Sequence, residues 1–310
     1  MTKLLLPLLF LLPGSAYAAG PAFDLETVTL ETLRELPAFP APAVTVPLRA
    51  DSRPGEKYFN AYVLKAIAYL SANYGLKGYD INSILTHDIE YHTFGTLKAR
   101  HAPLTMCVAA QMEIILTAYE IYSKETGDYS VYSYLPKRSF EGLEITDLKG
   151  HIWVNHAFKA DGTADALINF GMGERRTFEN LVPGDFVNIN RTTRTGHAVT
   201  FLGFINQAGK LLPKHDGSVV GFKYFSSQGG REAGQGGFDY RYAVFSKFGC
   251  PEMPYKRDCN VIYSADQLYL NTGTMLSPKF WTGIMPQASA ETAGETVLNR
   301  GFFNGITTDD

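Results

Sequence analysis

The fold is decided by residues 184–205, which read GDFVNINRTTRTGHAVTFLGFI. A Gly-Asp turn opens the stretch, and the β-branched and aromatic residues from Phe186 to Ile189 predict a strand. The polar run RTTRTG predicts a hairpin loop, and residues 198–204 predict the strand that returns from it. His197 therefore stands at the mouth of a strand beside a loop, where a side chain is held firmly and can still reach a cleft.

Similar runs on both sides of this hairpin extend the prediction to a sheet. Short β-branched or aromatic runs bounded by turn residues are YSVYSYL (129–135), HIWVNHAF (151–158), VVGFKYFS (219–226) and YRYAVFS (240–246). Between the second of these runs and the hairpin, GTADALINFGMG (162–173) predicts a short helix. The second half of the chain is thus expected to consist mainly of strands.

Helical patterns occupy the first half. In residues 56–73 apolar side chains recur every three or four positions, as an amphipathic helix requires, and Gly75 ends the pattern. A second helix is predicted to begin at Thr105, a good N-cap residue, and to end at Gly127. Cys107 then lies in the first turn of this second helix.

A helical half followed by consecutive strands predicts an α+β fold. We expect an antiparallel sheet to pack on the helix that carries Cys107, with an extra helical segment at the N-terminal side. The predicted domain is single and covers residues 55–285, with a helical part over 55–127 and a sheet part over 128–285.

Both ends of the chain lie outside this domain. Residues 1–18 combine a positive tip, a short apolar run and an Ala-x-Ala site, which predicts a secretory signal peptide removed after Ala18. Residues 19–54 are predicted to form a Pro-rich extended arm, and residues 286–310 a weakly ordered tail. The apolar run is far shorter than the ~20 residues of a membrane-spanning helix. We therefore expect a periplasmic or secreted protein with no membrane span.

The charge of the chain disfavours one class of partner. The 28 basic and 31 acidic residues give a net charge of −3, and loss of Lys3 with the signal peptide makes it −4. A nucleic-acid-binding domain presents a basic face, so we expect no nucleic-acid partner. No spacing of His, Cys, Asp and Glu gives a metal signature, and the sequence predicts neither a metal nor an organic cofactor.

Three cysteines in an oxidising compartment cannot all be paired within the chain. Cys250 and Cys259 bracket CPEMPYKRDC, whose prolines and charges predict an exposed loop that a disulfide can close. A long-range bridge from Cys107 to either of them is the alternative. The local pairing leaves Cys107 as a thiol at a helix start, where backbone N–H groups and the helix dipole favour an anion.

A thiol in that position is predicted to be a nucleophile, because a helix terminus and a neighbouring imidazolium both lower the pKa of a thiol. The alternative is a cysteine that only packs in the core. The predicted base is His197, with His151 and His156 as competitors that face opposite sides of one strand. The predicted third residue is Gln228, whose amide oxygen would accept the Nδ1 proton of the imidazole, with Ser227 in reserve.

These residues together resemble the second half of NlpC/P60-type and related papain-fold cysteine peptidases and amidases of bacterial cell walls. In that family a Leu-x-Pro-Gly-Asp turn leads into a strand, and a histidine opens the next strand, which often ends near a Leu-Gly pair. The matching residues here are Leu181, Pro183-Gly184-Asp185, His197 and Leu202-Gly203. The resemblance covers residues 103–230. It implies a papain-like fold, Cys107 as nucleophile, His197 as base and a polar third residue within 226–228.

The resemblance also implies acyl transfer, with peptides or peptidoglycan fragments as substrates. Cys107 would attack an amide carbonyl, and its N–H together with Thr105 or His101 would hold the oxyanion. Two alternatives are a transglutaminase-like acyltransferase and a non-catalytic envelope binding domain. The glycine-rich stretch 229–237 is expected to be a lid or an ordinary loop. The THDIEY stretch, with His87 and Asp88, is expected to cap a helix or to line the cleft.

Overall fold

The computed structural model of the chain describes residues 57–133, 162–230, 232, 234–282 and 308–309. Two long helices lie on one face of a curved, mostly antiparallel sheet, which confirms the α+β class. The predicted signal peptide and Pro-rich arm lie outside the described residues, as do His151, His156 and all but two residues of the predicted tail.

The three α-helices of the described residues are α1 (Asn60–Tyr74), α2 (Cys107–Thr126) and α3 (Thr163–Asn169). Helix α2 ends as predicted, because Gly127 adopts the left-handed conformation and its N–H donates to the carbonyl of Ser123. Helix α3 confirms the short helix expected in this segment. In the part of the chain that the structure describes, no helix has both the length and the apolar character needed to cross a membrane.

The start of α2 differs from the prediction. The N-cap is Met106, whose sulfur accepts the N–H of Ala109 at 3.3 Å, and the first helical residue is Cys107. Thr105, the predicted N-cap, is fully buried, and its hydroxyl makes no hydrogen bond within the described part of the chain. Because a thioether sulfur is a weak acceptor, the first turn of α2 is weakly capped by its own side chains.

The strands of the described residues are β1 (Ile89–Glu90), β2 (Thr96–Leu97), β3 (Gly173–Arg175), β4 (Phe186–Asn190), β5 (Thr195–Asn206), β6 (Leu211–Leu212), β7 (Val219–Gly229), β8 (Gly236–Phe245), β9 (Arg257–Val261), β10 (Leu270–Met275) and β11 (Thr308–Asp309). The order in the main sheet is β3-β10-β4-β5-β7-β8-β9, and neighbouring strands in it are antiparallel except for the parallel pair β8–β9. Two short strands also pair with β5, β6 antiparallel and β11 parallel, and β1 forms a separate hairpin with β2.

Four of these strands were predicted in place, and one predicted strand is wrong. Strands β4, β5, β7 and β8 confirm the two strands of the hairpin and the two runs that follow it. In the run YSVYSYL the described residues Ser130–Ser133 form a 3-10 helix instead. The ring of Tyr132 packs edge-on against Tyr91 and Tyr119, so this residue contributes to the helical core rather than to a sheet. The run HIWVNHAF lies outside the described residues.

The sheet curls until its far strand returns to β4. The N–H of Ile262 donates to the carbonyl of Asn190 at 2.8 Å, and that of Thr192 donates to the carbonyl of Asn260 at 2.9 Å. Strands β4, β5, β7, β8 and β9 thereby enclose an apolar interior, which we call the inner core. The helices α1 and α2 pack on the outside of this ring and form the outer core. Cys250 and Cys259 form the predicted disulfide, which ties β9 to the segment after β8.

The Pro-Gly-Asp turn anchors the central hairpin to α1. Gly184 has a φ of +95°, and a Cβ there would lie 3.0 Å from the backbone and side chain of Asn60. The buried carboxylate of Asp185 accepts hydrogen bonds from Asn60 Nδ2 and from the N–H of Val182, both at 2.8 Å. The turn therefore needs glycine for its backbone and aspartate for its contact with the helix.

Candidate functional site

Cys107 lies at the buried end of α2. The residue has no exposed surface and takes no part in the disulfide. The carbonyl of Thr105, two residues earlier, accepts the hydroxyl of Ser227 at 3.1 Å. One helical turn later, Gln111 reaches the sheet through hydrogen bonds to β5 and β7. The start of α2 is therefore held against the outer face of the sheet by polar contacts on both sides of the cysteine.

His197 and Gln228 form the predicted pair. The two side chains meet through His197 Nε2 and Gln228 Oε1 at 3.1 Å. The amide nitrogen of Gln228 donates to the carbonyls of Ser226 and Asp239, each at 3.0 Å, and this fixes the amide oxygen towards the imidazole. The proton of neutral His197 therefore sits on Nε2.

His197 contacts Gln228 through Nε2, whereas the prediction placed the shared proton on Nδ1. Nδ1 instead keeps its lone pair, is buried, and has no hydrogen-bond partner within the described residues. A positioned imidazole with a free lone pair is one feature of a general base. Here that lone pair is completely buried.

The side chain of His197 points away from α2. Side chains alternate along β5, and Thr200 faces the helix, where its hydroxyl donates to Gln111 Oε1 at 2.7 Å. Val199 and Phe201 face the other way and belong to the inner core. His197 shares their parity, and its ring meets that of inner-core Tyr224 edge-on at 5.7 Å. Cys107 and His197 consequently lie on opposite faces of the sheet.

The surroundings of His197 keep it neutral. Burial and, next, the positive charge of Arg191 lower the pKa of His197 to about 3. Arg191 donates to the carboxylate of Asp258 at 3.0 Å, and the hydroxyl of Tyr224 donates to the same oxygen. Arg241 lies 3.7 Å from the other oxygen of that carboxylate. Asp258 on β9 thus joins residues of three other parts of the ring beside the histidine.

The structure divides the predicted third residues between the two faces. Gln228 reaches His197, whereas Ser226 and Ser227 contact the α2 side, through Gln111 and Thr105 respectively. The sequence analysis did not predict on which face of the sheet each of these side chains lies.

A second histidine pair was missed by sequence reasoning. Glu113 on α2 is fully buried, and its carboxylate accepts the N–H and the hydroxyl of Thr86. His87 Nδ1 lies 3.1 Å from Glu113 Oε1, and its ring stacks on Tyr74 at 4.0 Å. THDIEY therefore does not cap a helix; Asp88 instead accepts the N–H of Ala99. The available signal was an acidic residue within the apolar pattern of α2.

In the described segments, no three His, Cys, Asp or Glu side chains converge in the way that metal ligands do. The comparisons with known proteins do not assign the site either. No protein-family model matches the chain, and no curated protein and no solved structure is significantly similar to it.

Proposed function

We propose that the protein is an exported cysteine hydrolase of the papain-like type, in which Cys107 attacks amide or peptide bonds, with peptidoglycan fragments as the substrate class. The observation that carries the proposal is the position of Cys107 as the first residue of a 20-residue helix, in a chain whose other two cysteines are joined. Backbone N–H groups at a helix start stabilise a thiolate.

The reaction has two steps. An imidazole takes the proton of Cys107, Sγ bonds to the carbonyl carbon, the C–N bond breaks, and the amine leaves with that proton. Water then attacks the thioester carbonyl and gives a proton to the imidazole, the C–S bond breaks, and the carboxylic acid leaves as the thiol takes the proton back. The hydroxyl of Thr105 supports the assignment of the oxyanion donor, because it is buried two residues before the nucleophile and makes no hydrogen bond within the described residues.

The orientation of His197 makes the identity of the base the sharpest question. His197 faces the inner core, so the experiment includes the two competitors from the sequence, His151 and His156. The rate of Cys107 alkylation by iodoacetamide is measured between pH 5 and pH 10 in the mature wild-type protein and in the three His→Ala variants.

We expect a midpoint well below the ~8.5 of an ordinary thiol, and one variant that raises it towards that value. The variant that does so identifies the base. Release of new amines from peptidoglycan fragments by the wild type, and its loss in Cys107→Ala, completes the test. An ordinary thiol profile together with no amine release would overturn the proposal.

A second candidate function is a non-catalytic envelope binding domain. The observation that favours it is the complete burial of both Cys107 and His197 on opposite faces of the sheet. Under this function Cys107→Ala retains all binding to cell-wall material, and the alkylation rate follows unfolding of the protein alone.

A further inference from the structure

A line of buried polar side chains joins the first half of α2 to the sheet. The amide nitrogen of Gln111 lies 3.2 Å from the carbonyl of Ala198 and 3.3 Å from the hydroxyl of Ser226. Its amide oxygen accepts the hydroxyl of Thr200 at 2.7 Å. Ser226 also donates to the carbonyl of Ala198 at 2.6 Å. We call these four residues the polar seam.

The seam lies within a largely apolar interface. Gln111, Thr200 and Ser226 have no exposed surface, and the outer core around them consists of apolar side chains. Apolar contacts alone would tolerate a helix that rotates or slides by a fraction of a turn, because they are not directional. Directional hydrogen bonds that are all satisfied specify one arrangement. The seam therefore fixes the rotation and height of α2 on β5 and β7.

The seam acts next to the thiol. Gln111 follows Cys107 by four residues and thus lies on the same side of the helix, one turn away. On the other side of the cysteine, Ser227 holds the carbonyl of Thr105. We infer that Gln111, through Thr200 and Ser226, is a positioning residue that sets the place of Cys107 against the sheet. This inference rests on the proposed function, for which Cys107 must be held in one geometry.

The chain offers a matched pair of variants. Thr200 on β5 donates to the amide oxygen of Gln111, and Thr274 on β10 donates to the amide oxygen of Asn60 at 3.0 Å. Both threonines are buried strand residues whose hydroxyl donates a hydrogen bond to the side-chain amide of a helix residue. Thr200→Val and Thr274→Val therefore remove the same kind of bond, one in the seam and one at the start of α1.

The experiment measures urea unfolding and the rate of Cys107 alkylation in both variants and in the wild type. At pH 10 we expect about fivefold faster labelling in Thr200→Val, since losing one buried hydrogen bond makes the local opening of α2 more frequent. Thr274→Val should lose a similar amount of stability. Its rate of Cys107 labelling should rise no more than this loss of stability accounts for. In Thr200→Val alone, the midpoint of the pH profile should also move towards that of an ordinary thiol.

Equal acceleration in the two variants, in proportion to lost stability, would overturn the inference, because the seam would then serve stability alone. The proposed function fails separately, if the wild type already shows the ordinary thiol profile. In that case the rate ratio at pH 10 still decides whether the seam controls the position of the thiol. If Thr200→Val does not fold, Ser226→Ala replaces it and the same comparison applies.

Discussion

Burial of neutral His197 predicts a steep loss of stability in mild acid. The pKa of the side chain falls from 6.5 to about 3 on folding, first because of burial and second because of Arg191. Above pH 6.5 the histidine is neutral in both states and favours neither. As the pH falls from 6.5 towards 3, the unfolded chain binds a proton that the folded protein cannot accept. Stability therefore falls with pH in this window.

The magnitude follows from the pKa values. At pH 5 the folded histidine is still neutral, so 1.5 pH units at about 1.4 kcal/mol each give about 2 kcal/mol lost from the free energy of unfolding. Asp185 has its pKa raised by burial and acts in the opposite direction. Asp258 has a lowered pKa, in which burial is outweighed by Arg191 and its other partners, so it adds to the loss of stability in acid. The contribution of Asp185 is common to the wild type and a histidine variant, whereas that of Asp258 includes a part from His197 itself.

The assay is urea unfolding followed by far-UV circular dichroism at pH 7 and pH 5, in the wild type and in His197→Gln. We expect the wild type to lose about 2 kcal/mol more than the variant between the two pH values. His215→Gln, which removes an imidazole from a half-buried loop, is the matched control and should keep the wild-type difference. An equal pH dependence in wild type and His197→Gln would refute a buried neutral histidine.

Two further substitutions test the contacts that shape the ring and its turn. Asp258→Asn should cost about 3–5 kcal/mol in urea unfolding, because Arg191, itself 6% exposed, is left with a buried charge. A cost no larger than that of Asp88→Asn, which alters an exposed ion pair, would contradict this. Gly184→Ala should lower the thermal midpoint and cost about 1–3 kcal/mol, because of the positive φ and the contact with Asn60; an unchanged midpoint would show that the turn can relax.

The sequence predicted where helices and strands lie more reliably than which face of the sheet their side chains occupy. Short β-branched and aromatic runs bounded by turn residues located four strands, and Gly127 located the end of α2, since these signals are local. The start of α2 was misplaced because Thr105 fits the cap preference, while the buried environment places Met106 at the cap instead. Strands β9 and β10 were not predicted, because their pairing depends on the closure of the ring, which is a long-range property.

The same distinction explains why the candidate site was predicted only in part. A loop length and a strand start place His197 beside Gln228, because residues opposite each other on neighbouring strands share a face. The relation of either residue to Cys107 depends instead on which face of the sheet the helix covers. Nothing local in the sequence records that choice, since a one-residue change of register would reverse it.

The motif that carries the family resemblance has a structural role in this chain that does not depend on catalysis. Gly184 and Asp185 anchor the hairpin to α1, and His197 fills the inner core beside a buried ion pair. Each of these residues is required by the fold, so their presence would follow even if the protein performed no chemistry. The proposal of an enzyme therefore rests on Cys107 alone. Substitution separates the two: Cys107→Ala should leave the fold intact, with a stability change of about 1 kcal/mol, and abolish amine release. A Cys107→Ala protein that unfolds would instead mark the thiol as a packing residue.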